Sequence, residues 1–163
     1  KNYRCVIDVH GSESDVGVFA IVTNPKIENL LLASSLCVEN VVIWAAKSSE
    51  QAGPVTQFVE CGVEIECGPQ RSREVQELLL TVLRTLVRDE VVLDPRLVNS
   101  KRFFRVYGKL PRRGVAKRDI ERIRNFEEVT LMGETFYPLL VGQYEDVLCY
   151  KMEQVNFWDL FSY

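Results

Sequence analysis

Histidine is the residue this chain has least of. His10 is the only one in 163 residues, so a metal site built from several histidines cannot come from this sequence alone. Long apolar runs are also missing. None approaches the roughly 18 residues a membrane span needs, and the first residues do not have the layout of a signal peptide; no membrane partner is expected. The five cysteines (Cys5, Cys37, Cys61, Cys67 and Cys149) contain no CxxC pair, and no histidine stands near Cys61 or Cys67 to suggest zinc. Their odd number, scatter and placement in apolar runs read as buried free thiols in a reducing cytoplasm, not as a disulfide framework. Internal repeats and low-complexity tracts are absent as well.

What is present is an ordinary globular composition. Apolar residues make up 47% and charged residues 26% of an 18.7 kDa chain, enough for one good core or two small ones. The net charge of -3 is unevenly spread: residues 101–124 carry ten Lys and Arg against Asp119 and Glu121, so this segment is +8 and the remainder -11. That asymmetry points to an anionic partner. With Phe103, Phe104 and Tyr107 interleaved, it is a combination that can bind phosphates and stack bases. Against a nucleic-acid partner stand the acidic pI of about 5.3 and the lack of any accompanying recognition signature; a charge run is more commonly a solvated face.

The first half alternates strand and helix. YRCVIDV (3–9), VGVFAIVT (16–23), VVIWAA (41–46) and VEIEC (63–67) read as strands, with a polar loop over 10–16. Asn24-Pro25 reads as the N-cap and first position of a helix of about ten residues. Ser72 reads as the cap of a second, whose apolar positions 75, 78, 79, 82, 83, 86 and 87 follow the helical period. This is the pattern of a mostly parallel α/β sheet. From about residue 98 the texture changes to short strand candidates, 103–110, 127–133, 136–142 and 146–152, with one short helix candidate in 116–126. The predicted organisation is an α/β domain over 1–97 and a smaller β-rich module over 98–163. The aromatic end, Phe157, Trp158, Phe161 and Tyr163, would finish the core or form a homodimer contact.

In open α/β sheets, ligands bind beyond the carboxyl ends of the strands. Two strands here end in chemically capable groups, Asp8-x-His10 and Glu64-x-Glu66. The strand period puts Asp8 and His10 on one face, where the carboxylate can set the state of an imidazole that ligates a metal. Glu66, on a neighbouring strand, could take a proton from a bound water. Each signal alone is weak: a single His after a strand is more often a loop or core residue, and Glu66 could equally pair with an arginine of the basic segment.

The wording of the two segments adds to this. DVHGSESDVG followed by IECGPQ resembles the aspartoacylase and succinylglutamate desuccinylase family of zinc carboxypeptidase-like amidohydrolases. Asp8, His10, Ser12, Ser14 and Gly17 match the first motif of that family, and Ile65, Glu66, Gly68, Pro69 and Gln70 the second. FYPLLVGQYEDVLCYKM looks like its closing β-segment. The resemblance implies a zinc carboxypeptidase-like α/β sheet, zinc as cofactor with His10 as one ligand, and Glu66 as general base. It also implies Tyr144 as a substrate contact, and hydrolysis of an N-acyl amino acid to a carboxylate and a free amino acid.

The chain also departs from the family. The His-x-x-Glu pair that supplies the other zinc ligands there has no counterpart here, which leads us to expect a C-terminal part of a larger enzyme; the start at Lys1 just before a strand agrees. The rival expectation is a non-catalytic remnant, or a binding module using 101–124. Gly11 stands where aspartoacylases have Asn, Ala52 and Thr56 where the aspartate-selective members have Tyr and Arg, and Gln143 where the closing segment has Glu. These changes put aspartate specificity in doubt.

Overall fold

The computed structural model describes residues 5–45, 55–88 and 93–161; expectations that fall on Tyr3, Ala46, the loop 47–54 and Tyr163 lie outside them. The strands are β1 (Val6–Gly11), β2 (Gly17–Val22), β3 (Asn40–Ile43), β4 (Gly62–Gly68), β5 (Arg102–Pro111), β6 (Val129–Leu131), β7 (Glu134–Leu139) and β8 (Val147–Val155). The helices are α1 (Ile27–Ser35), α2 (Arg73–Arg88) and the single turn α3 (Lys117–Ile120), with 3-10 turns at Val55–Phe58, Pro95–Ser100 and Phe157–Phe161.

All eight strands form one mixed sheet in the order β1-β4-β2-β3-β5-β8-β7-β6. The pairs β1/β4, β2/β3 and β3/β5 are parallel, while β4/β2 and every pair from β5 to β6 are antiparallel. This is the expected α/β architecture, mostly parallel at the start and β-rich afterwards. The 97/98 boundary falls inside the 3-10 turn Pro95–Ser100, and β5 continues the sheet directly from β3.

Alternation along the strands divides the core in two. One layer joins Val18, Ala20, Val22, Val41, Ile43, Val63 and Ile65 to the apolar faces of α1 and α2. The opposite layer joins Phe19, Ile21 and Val42 to Phe104, Phe126, Leu139, Leu140 and Met152. Strands β2 and β3 are therefore apolar on both faces, which is why they read as continuous runs. On β4 the pattern differs: Val63, Ile65 and Cys67 face the helices, and Glu64 and Glu66 take the other side.

Two expectations are corrected, for Asn24 and for the cysteines, and that for α2 holds with two of its apolar positions outside the core. Asn24 is not the cap of α1: Lys26 holds that position without a side-chain bond, and the Asn24 carbonyl instead accepts from Asn29 Nδ2 at 2.9 Å and the Lys26 N–H at 2.8 Å. In α2, Ser72 does accept the Val75 N–H, but Leu78 and Val87 are 40% and 85% exposed and lie outside the core. The cysteines are not all free: Cys5 and Cys61 form a disulfide, and Cys37 is exposed. Each bonded cysteine stands one residue before its strand, and the parallel β1/β4 register brings Val6 beside Gly62, so the two are neighbours although 56 residues apart. The pair removes the thiol argument for a reducing compartment; only Cys67 and Cys149 are buried thiols. Among the described residues, no helix is long and apolar enough to cross a membrane.

Candidate functional site

The two sequence segments are stitched together through their backbones. The Ser12 N–H donates to the Cys67 carbonyl (2.8 Å), the Gln70 N–H to the Ser12 carbonyl (3.1 Å) and the Val16 N–H to the Gly68 carbonyl (3.3 Å). The loop 12–14 lies so close to Gly68 that a Cβ there would overlap Ser12 Oγ and the Ser14 carbonyl oxygen. Gly17 has a φ of +67°, a conformation that glycine adopts without strain. These contacts explain why small residues punctuate both motifs.

Register then sets the chemistry. His10 on β1 is the partner of Glu66 on β4, and Asp8 that of Glu64; on its other side Glu66 is flanked by Phe19. Parallel partners share a sheet face, so Asp8, His10, Glu64 and Glu66 form one cluster. The Asp8 carboxylate bonds His10 Nε2 at 2.9 Å, and this bond is the main reason the imidazole's pKa is raised. Glu64 and Glu66 are 4% and 8% exposed. Burial pushes both carboxyls upward, against the opposing pull of His10 on each and of the Thr56 hydroxyl, 2.8 Å away, on Glu64.

A cleft of about 360 Å³ opens at these strand ends, lined by Val9, His10, Gly11, Ser12, Glu66, Leu140, Gln143 and Tyr144. The structure thus brings His10, Glu66 and Tyr144 together, with Asp8 held behind His10. The Tyr144 phenol is raised by partial burial, next by Tyr150 and the Glu66 charge, so it stays a hydrogen-bond donor at neutral pH. Its ring meets Tyr150 edge-on at 5.8 Å, and Tyr150 in turn meets Trp44 at 4.4 Å. Thr56 is buried against Thr23 and Glu64 and does not line the cleft; Ala52 lies outside the described residues.

Two amides that the motif reading left without a role hold the cleft together. Gln143 Oε1 accepts the N–H groups of Glu13 and Ser14 at 3.0 and 3.2 Å. Asn125 Nδ2 donates to Ser14 Oγ and the Asp15 carbonyl, while its Oδ1 accepts the Val141 N–H. Nothing in the pattern around Asn125 marks it; only the fold places it between two loops more than a hundred residues apart.

The basic segment does not form a stacking platform from its phenylalanines. Phe103 and Phe104 are 3% and 0% exposed, and Tyr107 donates to Glu134 beneath Lys151. Arg105 pairs with Glu153 and Lys151 with Glu134.

No family model and no curated protein matches the sequence. Similar solved structures include murine aminoacylase 3 (TM-score 0.61, 17% identity, covering 91% of this chain and 62% of that one). A glutamate-to-alanine mutant of the same enzyme gives 0.63, 16%, 91% and 61%. The succinylglutamate desuccinylase from Chromobacterium violaceum gives 0.51, 16%, 92% and 53%. The likeness is one of fold: an α/β architecture of the aminoacylase and succinylglutamate desuccinylase kind. This chain spans less than two thirds of the length of each of these proteins.

Among the described residues, no three His, Cys, Asp or Glu side chains are arranged to hold a metal ion. A catalytic zinc takes three protein ligands, so these residues do not make a complete zinc site. His10 has one ring nitrogen, Nε2, held by Asp8.

Proposed function

We propose that this chain carries the catalytic base of an amidohydrolase that cleaves N-acyl amino acids to a carboxylate and a free amino acid. The observation that supports this best is the pairing of Glu66 with His10 across β1/β4 at the floor of a cleft. A carboxylate whose proton affinity is raised by burial is a better base near neutral pH than a solvated one. Glu66 takes a proton from the water that attacks the amide carbon. It returns that proton to the nitrogen as the C–N bond breaks, so the amine leaves neutral and the carboxylate is regenerated. The Tyr144 hydroxyl donates a hydrogen bond to the bound substrate. Zinc enters this reading as a cofactor with His10 as one ligand, the others coming from outside the described residues.

The test is hydrolysis of a panel of N-acyl amino acids by the full-length protein, together with its zinc content by elemental analysis. Glu66→Gln is expected to lower kcat by about 10²–10⁴-fold, the usual contribution of a positioned acid–base group, without lowering the melting temperature. His10→Ala is expected to lose bound zinc. Hydrolysis that survives Glu66→Gln would sink the proposal.

A further inference from the structure

The loop 140–146 and the residue that follows β5 together carry two groups that the proposed hydrolysis does not use. Gln143 lines the cleft, and its Oε1 accepts two backbone N–H groups at 3.0 and 3.2 Å. Amide orientation is ordinarily a matter of assignment, but two converging N–H donors can be satisfied only by the oxygen. Nε2 is therefore the end left over, a donor with no hydrogen bond among the described residues. The second group is Arg112. Its backbone N–H donates to the Asp146 carbonyl at 3.0 Å, which fixes it at the base of the same loop. Its guanidinium stands beside Gly142, with Nη2 3.7 Å from where a Cβ would be. Arg112 is exposed and forms no ion pair among the described residues.

A neutral donor thus lines the same cleft as Glu66 and His10, and a cation without an ion pair among the described residues stands beside the adjoining Gly142. An N-acyl amino acid has the complementary polarity: a carboxylate at one end, and an amide to be cleaved a few ångströms away. We propose that the loop 140–146 is a carboxylate subsite, in which Gln143 Nε2 donates a hydrogen bond to the substrate carboxylate and Arg112 supplies the compensating charge. The inference rests on the hydrolase reading and names a specificity determinant within it. Gln is the required residue at 143: Glu would keep the acceptor for Glu13 and Ser14 but would replace the donor with a negative charge.

The experiment compares calorimetric binding of N-acetyl-L-alanine and its C-terminal amide to the full-length protein carrying Glu66→Gln, so that no turnover consumes the ligand. The acid is expected to bind at least ~10-fold more tightly than the amide, the scale of a hydrogen bond to a charged group. Gln143→Glu is expected to abolish that preference while leaving the Glu13 and Ser14 amide resonances in place. Arg112→Gln, at an exposed position, is expected to reduce the preference about threefold, as befits a solvated charge. Binding that ignores the carboxylate, or a preference unchanged in both variants, overturns the subsite alone. Failure of both ligands to bind at all overturns the hydrolase reading and the subsite with it.

Discussion

Gly68→Ala tests the close fit on which the site depends. The added Cβ would overlap Ser12 Oγ and the Ser14 carbonyl oxygen, and would lie 2.9 Å from the Ser12 carbonyl oxygen. A hydroxyl can rotate away, but the other two obstacles are backbone. That backbone is tied to β4 by the Ser12–Cys67, Gln70–Ser12 and Val16–Gly68 hydrogen bonds. Relief therefore requires the loop 12–14 to move outward, stretching two of these bonds at about 1 kcal/mol each, with overpacking adding a further ~1–3 kcal/mol. The expected loss is about 3–5 kcal/mol, which for a chain of this size lowers the melting temperature by roughly 6–20 °C. Gly133→Ala is the control. Gly133 has a φ of +80° and nothing within 4 Å of a built Cβ, so it bears only the conformational cost of a left-handed residue, ~1–2 kcal/mol. Thermal and urea unfolding followed by circular dichroism measure both. If Gly68→Ala costs no more than Gly133→Ala, the loop is free to shift and the interlock is not what holds His10 against Glu66.

Thr56→Val removes the hydroxyl that donates to the buried Glu64 carboxylate at 2.8 Å, an expected loss of about 2 kcal/mol at neutral pH. Burial already raises the Glu64 pKa in the fold. The cost of ionising it is therefore absent below the unfolded pKa of about 4.5 and builds as pH rises through the folded value. Because Thr56 favours the ionised form, urea unfolding is expected to show a larger loss at pH 7 than at pH 4; a pH-independent loss would refute this role. Cys5→Ser opens a cross-link between residues 56 apart, worth about 4 kcal/mol in the chain-entropy account. A phosphine reductant is expected to destabilise the parent by a similar amount and leave Cys5→Ser unchanged, whereas a parent indifferent to reductant would contradict the cross-link.

Much of this was legible because apolar periodicity and local chemistry travel together in sequence. The double-sided burial of β2 and β3, the helix after Ser72, and the carboxylates on one side of β4 are all visible as patterns of one or two turns. What the pattern could not contain is which strands become neighbours. Strand β4 inserts between β1 and β2, and only that choice puts Cys5 beside Cys61 and His10 beside Glu66. Phe103 and Phe104 illustrate the same limit. Their spacing among cations suits a surface platform, yet β5 lies inside the sheet, so alternation buries one ring on each face.

The acid–base character assigned to Glu66 belongs to both halves of the chain. On its own face of the sheet Glu66 has Phe19 as its register partner on β2, and Phe19 is packed by Phe126 at 5.1 Å between ring centroids. Phe126, Leu139 and Leu140 all come from the β-rich second half, and Leu140 also walls the cleft. Residues beyond 98 therefore cover the sheet face that carries Glu66 and wall its cleft, which they reach because β5 extends the sheet and β8 and β7 continue it. Gln143 and Asn125 then pin the returning loop to Glu13, Ser14 and Asp15. Loss of these neighbours would open the Glu66 side of the sheet to water, and a carboxyl more exposed to water moves toward the pKa of an ordinary glutamate and weakens as a base.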